Sequence, residues 1–194
     1  MKPTSNHPQA VLLDRDGVIN FDSPDYILAP EQWHAIPQSL EAIAQLNAQS
    51  IPVGLISNQS AVGRGMMAQE MLDTIHQRMM DALSAVGGSL QHIAYCPHHP
   101  EAGCTCRKPL PGMIQHTLEA WGMSEDADSV VMIGDSLRDV QAALAAGVRP
   151  ILVQSGYGDA ASIAQRARNL SPNIPIFPNL HQAVQHLLTQ GLSS

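Results

Sequence analysis

One stretch decides how the rest of the chain is interpreted: Val11-Leu12-Leu13-Asp14-Arg15-Asp16-Gly17-Val18-Ile19-Asn20. Its apolar first part is typical of a buried strand, and it stops at two acids separated by one residue and followed by a glycine. In open parallel sheets, ligands bind at the carboxyl ends of the strands. Because neighbouring carboxylates repel each other unless a cation holds them, Asp14 and Asp16 favour a hard-metal site. The alternative is a solvated turn that only closes the strand.

Strand-like and helix-like segments alternate along the rest of the chain, which predicts βαβ units around a mostly parallel sheet. Further strands are expected at 51–56, 92–95, 130–133 and 150–153, and helices at 37–49, 68–86, 111–121 and 137–146. Residues 20–37 are irregular and are expected to lie over the mouth of the site. Beyond residue 155, the pattern predicts two amphipathic helices around a short segment at 174–177.

Length and composition fit one α/β domain. The chain has 194 residues, of which 44% are hydrophobic and 14% charged, as in globular proteins. We expect a single domain over 1–194, with a core at about 10–155 and a C-terminal part, 156–194, that packs on it. A net charge of -7 argues against a nucleic-acid surface, and no apolar run reaches membrane-spanning length. The first residues are too polar for a secretory signal, so we expect a cytoplasmic protein without nucleic-acid or membrane partners.

Polar clusters follow four of the predicted strands. They are Asp14 and Asp16, Ser57 and Asn58, Arg107 and Lys108, and Asp135 with Asp139. Any one of them would be unremarkable on a surface, but their recurrence where sheet ligands bind favours a common site. Asp139 lies one helical turn beyond Asp135, within reach of a metal shell or of Lys108. The alternative for Asp139 is a first-turn acid that the helix dipole favours.

These residue types fit phosphoryl transfer. A carboxylate accepts a phosphoryl group as an acyl phosphate, which suits Asp14 to nucleophilic attack. Asp16 is placed to protonate the leaving oxygen and later to take a proton from the attacking water. Asp135 and Asp14 offer the oxygen ligands that Mg²⁺ prefers. Lys108 and the Ser57 hydroxyl would neutralise the phosphoryl oxygens.

The four clusters also resemble, in order, the motifs of the haloacid-dehalogenase-like (HAD-like) phosphatases. The matching segments are Asp14-x-Asp16-Gly17, Ser57-Asn58, Lys108-Pro109 and Gly134-Asp135-(x)₃-Asp139. The resemblance covers roughly 11–153. It implies a Rossmann-like three-layer α/β sandwich, an aspartyl-phosphate intermediate and catalytic Mg²⁺. It makes Asp14 the nucleophile and Asp16 the general acid/base, with Asp16 also reaching the metal through its backbone carbonyl.

All three cysteines of the chain fall in one short loop with the spacing of metal ligands. The loop offers three thiolates and one imidazole, a closed tetrahedral set for structural Zn²⁺: Cys96, His98, Cys104 and Cys106. The alternative is three reduced cysteines brought together by chance. His98 is preferred to His99 because its spacing from Cys96 matches that of the later Cys-x-Cys pair. Zinc here would shape the loop and aim the residues after it into the site, without activating water.

The zinc-type loop narrows the resemblance to the subfamily of heptose-bisphosphate and histidinol-phosphate phosphatases. Further matching segments are Ser57-Asn58-Gln59-Ser60, Gly63-Arg64-Gly65 and Arg107-Lys108-Pro109. The stretches at 22–26, 30–33 and 155–158, together with Arg107, favour the heptose branch. That branch implies a small-molecule sugar bisphosphate as substrate, in the synthesis of precursors for lipopolysaccharide or surface glycans. Histidinol phosphate is the alternative substrate, and the resemblance suggests a monomer without a large cap domain.

The resemblance also implies which residues bind the substrate. Arg107 and Lys108 would recognise it and Arg64 would lie near the distal phosphate, while the sugar pocket would be lined by Asp22, Ser23, Pro24, Asp25, Ser57, Asn58, Gln59 and Ser60. Ser136 stands where many of these enzymes have a lysine, which leaves the preferred anomer open. A function of another class is a zinc-stabilised binding module whose phosphatase site has decayed.

Overall fold

A parallel β-sheet forms the centre of the protein in the computed structural model, which describes residues 7–192. Its strands are β1 (Ala10–Leu13), β2 (Val53–Asn58), β3 (His92–Cys96), β4 (Val130–Gly134), β5 (Arg149–Val153) and β6 (Ile176–Phe177). They lie side by side in the order β3-β2-β1-β4-β5-β6, and every neighbouring pair is parallel. The chain builds outward from β1 to β3 and then returns to β4 on the other side of β1. This reversal creates a crevice at the carboxyl ends of β1 and β4.

Helices cover both faces of the sheet. They are α1 (Ser39–Ala48), α2 (Ser60–Gly63), α3 (Gln69–Ala85), α4 (Gly112–Ala120), α5 (Leu137–Ala145), α6 (Ala160–Leu170) and α7 (Leu180–Gln190). Val11 and Leu13 pack towards α1, α3 and α7, whereas Leu12 packs towards α4 and α5. Both faces of β1 are therefore buried, which explains its continuous apolar run. The Rossmann-like three-layer fold predicted from the sequence is confirmed.

The C-terminal segment extends the same sheet and core. Strand β6 pairs with β5, and α7 packs against α1 through Leu180, Val184 and Leu187. A side-chain hydrogen bond of 2.7 Å between Gln185 and Gln45 also joins these two helices. In the described part of the chain, no helix is long and apolar enough to cross a membrane.

Near the site, β2 differs from the sequence-based expectation, and the segment after β1 is irregular as expected. Strand β2 continues two residues past its predicted end, because Ser57 and Asn58 pair with Tyr95 and Cys96 of β3. The segment after β1 is a loop with one 3-10 turn, Pro30–Gln32, and Trp33 beside that turn is buried. Loops, rather than an inserted domain, therefore border the crevice within residues 7–192.

Candidate active site

The centre of the crevice is the ammonium group of Lys108. Its Nζ donates to the Ile56 carbonyl at 2.7 Å and lies 2.9 Å from Asp14 Oδ1 and 2.6 Å from Asp139 Oδ1. The side chain is only 2% exposed, so these three oxygens use its three donors within the protein. Lys108 is thereby fixed beside the predicted nucleophile.

The carboxylates around Lys108 carry more negative charge than it balances. Burial raises the pKa of Asp14 to about 7, against the attraction of Lys108 and with repulsion from Asp139 and Asp16. Burial, followed by repulsion from Asp139 and Asp14, raises the pKa of Asp135 to about 8. Burial alone would lower the pKa of Lys108, but Asp139 and Asp14 outweigh it and raise that pKa. A further cation is the natural complement of this crevice.

Three of these acids are close enough to share a metal ion. One carboxylate oxygen from each of Asp14, Asp135 and Asp139 lies within 4.8 Å of the others. An all-oxygen donor set in a crevice with excess negative charge fits Mg²⁺. Asp139 also accepts from the backbone N–H of Ser136 at 3.0 Å and from its hydroxyl at 2.7 Å. Asp139 therefore stabilises the first turn of α5 as well as pairing with Lys108, so the two predicted roles of this residue are compatible.

Asp16 lies apart from that group, in a cradle of hydrogen-bond donors. Arg15, only 1% exposed, donates to both of its carboxylate oxygens at 3.1 and 3.0 Å. Asn20 donates to it at 2.8 Å and Gln59 at 2.9 Å. Burial alone would raise the pKa of Asp16, but Arg15 and the hydrogen bonds from Asn20 and Gln59 hold that pKa below its ordinary value. Asp16 is consequently held as a carboxylate.

Residues at the end of β2 support this arrangement. Gln59 donates to Ser57 Oγ at 2.8 Å as well as to Asp16, so one amide joins both groups. Ser57 accepts in that bond and keeps its own O–H as a donor. Asn58 holds the backbone of Lys108 through two hydrogen bonds, of 3.0 and 3.1 Å.

An open cavity of about 390 Å³ lies above these groups. Its lining includes most of the predicted substrate residues: Asp22, Ser23, Pro24, Asn58, Gln59, Ser60, Arg64, Arg107 and Lys108. Two of the predicted substrate residues are not part of this lining, so their contact with a substrate stays a prediction. Asp25 is exposed and lies outside the lining, although Pro24 and Tyr26 on either side of it contribute to the lining. Ser57 is 1% exposed beneath the surface of the cavity and is not part of its lining either.

Sequence reasoning missed several residues that the structure places here. Arg138 and Tyr157 line the cavity, and Arg15 and Asn20 form part of the Asp16 cradle. Arg15 and Asn20 belong to the stretch 11–20 with which the sequence analysis begins, and their closeness to Asp16 in the sequence could have identified them. Arg138 directly precedes Asp139, and Tyr157 belongs to the stretch 155–158 that favours the heptose branch, but neither side chain had been assigned to the site.

The Cys/His loop brings its four predicted ligands together. The thiol sulfurs of Cys96 and Cys104 are 3.6 Å apart, and His98 Nδ1 lies 3.5 Å from Cys96 Sγ and 3.3 Å from Cys106 Sγ. Donors on a tetrahedral zinc ion are separated by about 3.5 to 3.8 Å, given its bond lengths. All three cysteines are free, so the donor set fits Zn²⁺.

His99 lies outside this cluster. Its Nδ1 accepts from the backbone N–H of Glu101 at 3.2 Å, which favours His98 as the fourth ligand. The loop is tied to the site on its other side, because the Cys96 carbonyl accepts from Gln59 N–H at 2.8 Å. Lys108 follows Cys106 by two residues, so the loop sets where that lysine enters the crevice.

Comparison with known proteins agrees with this description. A family model described as HAD-hydrolase-like matches residues 105–183. The D-glycero-beta-D-manno-heptose-1,7-bisphosphate 7-phosphatase of Pseudomonas putida is 40% identical over 182 residues, covering 92% of this chain and 98% of that protein. The enzyme of the same name from Bordetella bronchiseptica is 46% identical over 148 residues, covering 76% of this chain and 82% of that protein.

Solved structures give the same result. The crystal structure of D,D-heptose 1,7-bisphosphate phosphatase from B. bronchiseptica, complexed with magnesium and phosphate, has a TM-score of 0.87. It is 38% identical, and the match covers 94% of this chain and 99% of that one. The corresponding enzyme from Burkholderia thailandensis has a TM-score of 0.68 at 33% identity, with 93% and 98% of the two chains covered.

The chain has a parallel sheet with acidic side chains at the carboxyl ends of its central strands, and its relatives are HAD-like phosphatases. It is therefore a phosphomonoester hydrolase of the HAD-like superfamily. Within it, the chain belongs to the D-glycero-β-D-manno-heptose-1,7-bisphosphate 7-phosphatase family.

Proposed function

We propose that this chain hydrolyses the 7-phosphate of D-glycero-β-D-manno-heptose 1,7-bisphosphate with Mg²⁺, through an aspartyl-phosphate on Asp14. The observation that carries the proposal is the position of Asp14, beside the fixed Lys108 ammonium and the carboxylate of Asp135, at the base of an open cavity. The names of the relatives supply the substrate and its anomer.

In this mechanism, Asp14 attacks the phosphorus while Asp16 protonates the leaving oxygen of the sugar. In the second step, Asp16 takes a proton from the water that hydrolyses the acyl phosphate. The cradle keeps Asp16 ionised, which is the form that this second step requires. For the first step, Asp16 must take up a proton before Asp14 attacks, and the negative charge of the bound phosphate would favour that uptake. The Ser57 O–H and Lys108 stabilise the charge on the transferred group.

The acids of the crevice supply the metal site. Asp14 and Asp135 would hold Mg²⁺ directly, with the backbone carbonyl of Asp16 as a further ligand and Asp139 behind them. When bound, Mg²⁺ neutralises charge on the phosphoryl oxygens.

Arginines at the cavity provide for the second phosphate. Arg64, Arg107 and Arg138 all contribute to the lining. The Nη1 of Arg107 is buried without a hydrogen-bond partner, and such a group normally has one when its ligand is present. A bisphosphate would meet this requirement better than a monophosphate.

We further propose that Cys96, His98, Cys104 and Cys106 hold a structural Zn²⁺. A closed set of four protein ligands leaves no position for water, so this ion would stabilise the loop rather than take part in hydrolysis. We also propose that the protein is a monomeric, cytoplasmic enzyme in the synthesis of heptose precursors.

The substrate is tested by measuring phosphate release with Mg²⁺ from the two anomers of heptose 1,7-bisphosphate and from histidinol phosphate. The proposal predicts the highest kcat/KM for the β anomer. A preference for histidinol phosphate would keep the mechanism and overturn the substrate. Absence of phosphate release from all three would favour a binding module with a decayed site.

A further inference from the structure

Two glycines from distant segments enclose the carboxylate of Asp135. Gly17 follows the predicted nucleophile loop, and Gly156 follows β5. A Cβ built on Gly17 would lie 2.5 Å from Asp135 Oδ2. A Cβ built on Gly156 would overlap that same oxygen and lie 2.8 Å from Asp135 Cγ. The carboxylate therefore occupies a slot that only glycines leave open.

A hydrogen bond closes the slot from the side of β5. Ser155 Oγ donates to the Gly17 carbonyl at 2.6 Å, which joins the loop after β5 to the loop after β1. Residues 17 and 155 are brought together because β4 lies between β1 and β5 in the sheet. Asp135, at the end of β4, is thus bounded by both neighbouring loops.

We propose that Gly156 is a positioning residue for the metal site: together with Gly17 it fixes the Asp135 carboxylate in the orientation that binds Mg²⁺. The inference rests on the proposed function only in taking Asp135 as a metal ligand. A side chain at position 156 would push Oδ2 out of the slot. The remaining ligands would then have to bind the cation with Asp135 displaced.

Gly156→Ala is a clean test because the conformation of Gly156 is not in the left-handed region, so alanine adds a clash without backbone strain. Gly158→Ala is the matched control in the same loop. Its conformation is also ordinary, and its added Cβ would meet only the end of the Ile163 side chain, at 2.9 Å. Gly17 has a φ of +80° and would combine both effects, so it is not used.

The experiment is calorimetric titration of the full-length protein with MgCl₂ in the absence of substrate. We expect Gly156→Ala to weaken Mg²⁺ binding by about tenfold or more, the cost of losing one well-placed ligand interaction. Gly158→Ala should remain within about twofold of the parent protein, because nothing that it contacts holds the metal. Equal Mg²⁺ affinity in Gly156→Ala and the parent would overturn the proposal.

Ser155→Ala gives a second test if Gly156→Ala does not fold, because it removes the tether without adding atoms. We expect it to weaken Mg²⁺ binding by about threefold to tenfold, as for the loss of one buried hydrogen bond. Unchanged Mg²⁺ affinity in a folded Ser155→Ala protein would contradict the proposal that the two loops fix the Asp135 carboxylate for Mg²⁺ binding. Since no substrate enters either titration, an error in the proposed substrate would leave these results unaffected.

Discussion

The carboxylate crevice and the Cys/His loop are both candidate metal sites, but the chain builds them in opposite ways. The crevice gathers acids from the ends of β1 and β4 and the start of α5, around a lysine that is 2% exposed. The Cys/His loop draws all its ligands from residues 96–106, and most of them are partly exposed. The sheet therefore fixes the crevice without an ion, whereas only Cys96 of the loop belongs to a strand, so a bound ion would contribute more to the order of the loop.

The largest effect should come from the crevice. Asp14→Asn removes the proposed nucleophile and should lower kcat by about a thousandfold or more. Burst kinetics and steady-state phosphate release measure the effect. Asp81→Asn serves as a control, since Asp81 is an exposed acid on α3 that pairs with Gln77. Turnover at the parental rate in Asp14→Asn would refute the role of Asp14.

Removing a thiol ligand should affect the fold first and catalysis second. Cys104→Ser should lower the melting temperature by about 5 °C or more, since it removes one ligand of the proposed structural zinc site. Mass spectrometry under native conditions would report the zinc content, and a thermal melt the stability. Omitting Mg²⁺ should instead stop turnover and leave the fold intact. If Cys104→Ser binds no zinc and still melts at the same temperature as the parent, zinc does not stabilise the fold, and the proposed difference between the two metal sites would be wrong.

The stability of the Mg²⁺-free protein should fall as the pH rises from about 4 to about 8. Folding raises the pKa of Asp14 to about 7 and that of Asp135 to about 8, so the folded protein retains protons that the unfolded chain releases. Mg²⁺ binds the ionised acids, so its stabilising effect should be larger at pH 8 than at pH 5.

Urea unfolding at these two pH values, with and without Mg²⁺ and with no chelator present, checks this prediction. Because no chelator is added, any zinc in the Cys/His loop is not removed by chelation. A stability that stays level or rises over the same interval would show that folding does not raise the pKa values of Asp14 and Asp135, and the charge imbalance described for the crevice would be wrong.

The Asp16 cradle predicts a smaller catalytic effect. Gln59→Leu keeps the volume of the side chain but removes the donor shared by Asp16 and Ser57, and we expect kcat to fall by about tenfold to a hundredfold. Gln69→Leu is the matched control, because Gln69 likewise joins two groups, Asp73 and Tyr95, away from the cavity. If both variants lose kcat equally, the hydrogen bonds from Gln59 to Asp16 and Ser57 have no specific role in catalysis.

The smallest expected effect concerns Asp25, which the sequence predicts to line the sugar pocket and which the structure places outside the cavity lining. Asp25→Asn should leave KM for the substrate within about twofold, because Asp25 is an exposed surface residue outside the cavity lining. Tyr157→Ala, which removes an exposed side chain from the lining, should raise KM more. The reverse order would restore Asp25 to the sugar pocket.

Much of the fold followed from local patterns in the sequence. Apolar runs ending in Asp14 and Asp135 located two central strands, and the Cys-x-His and Cys-x-Cys spacings located the loop cluster. These signals are local because a strand end or a chelating loop needs only neighbouring residues. The three acids of the crevice came together because parallel strands end at one edge of the sheet.

The remaining features depend on contacts between distant segments. Gln59 bonds Asp16 across 43 positions, so its role as a bridge is invisible in either motif alone. The closeness of Gly156 to Asp135 follows from the adjacency of β4 and β5. Asp22 lines the cavity and Asp25 does not, a difference that the sequence could not show because the spacing of two acids in a loop does not reveal which of them faces inward.

The central claim is that the crevice removes one particular phosphate. We would follow β-heptose 1,7-bisphosphate by ³¹P NMR with the protein and Mg²⁺. The account predicts that the signal of the 7-phosphate disappears as inorganic phosphate appears, while the 1-phosphate signal persists. Loss of the 1-phosphate, or a spectrum that does not change, would contradict it.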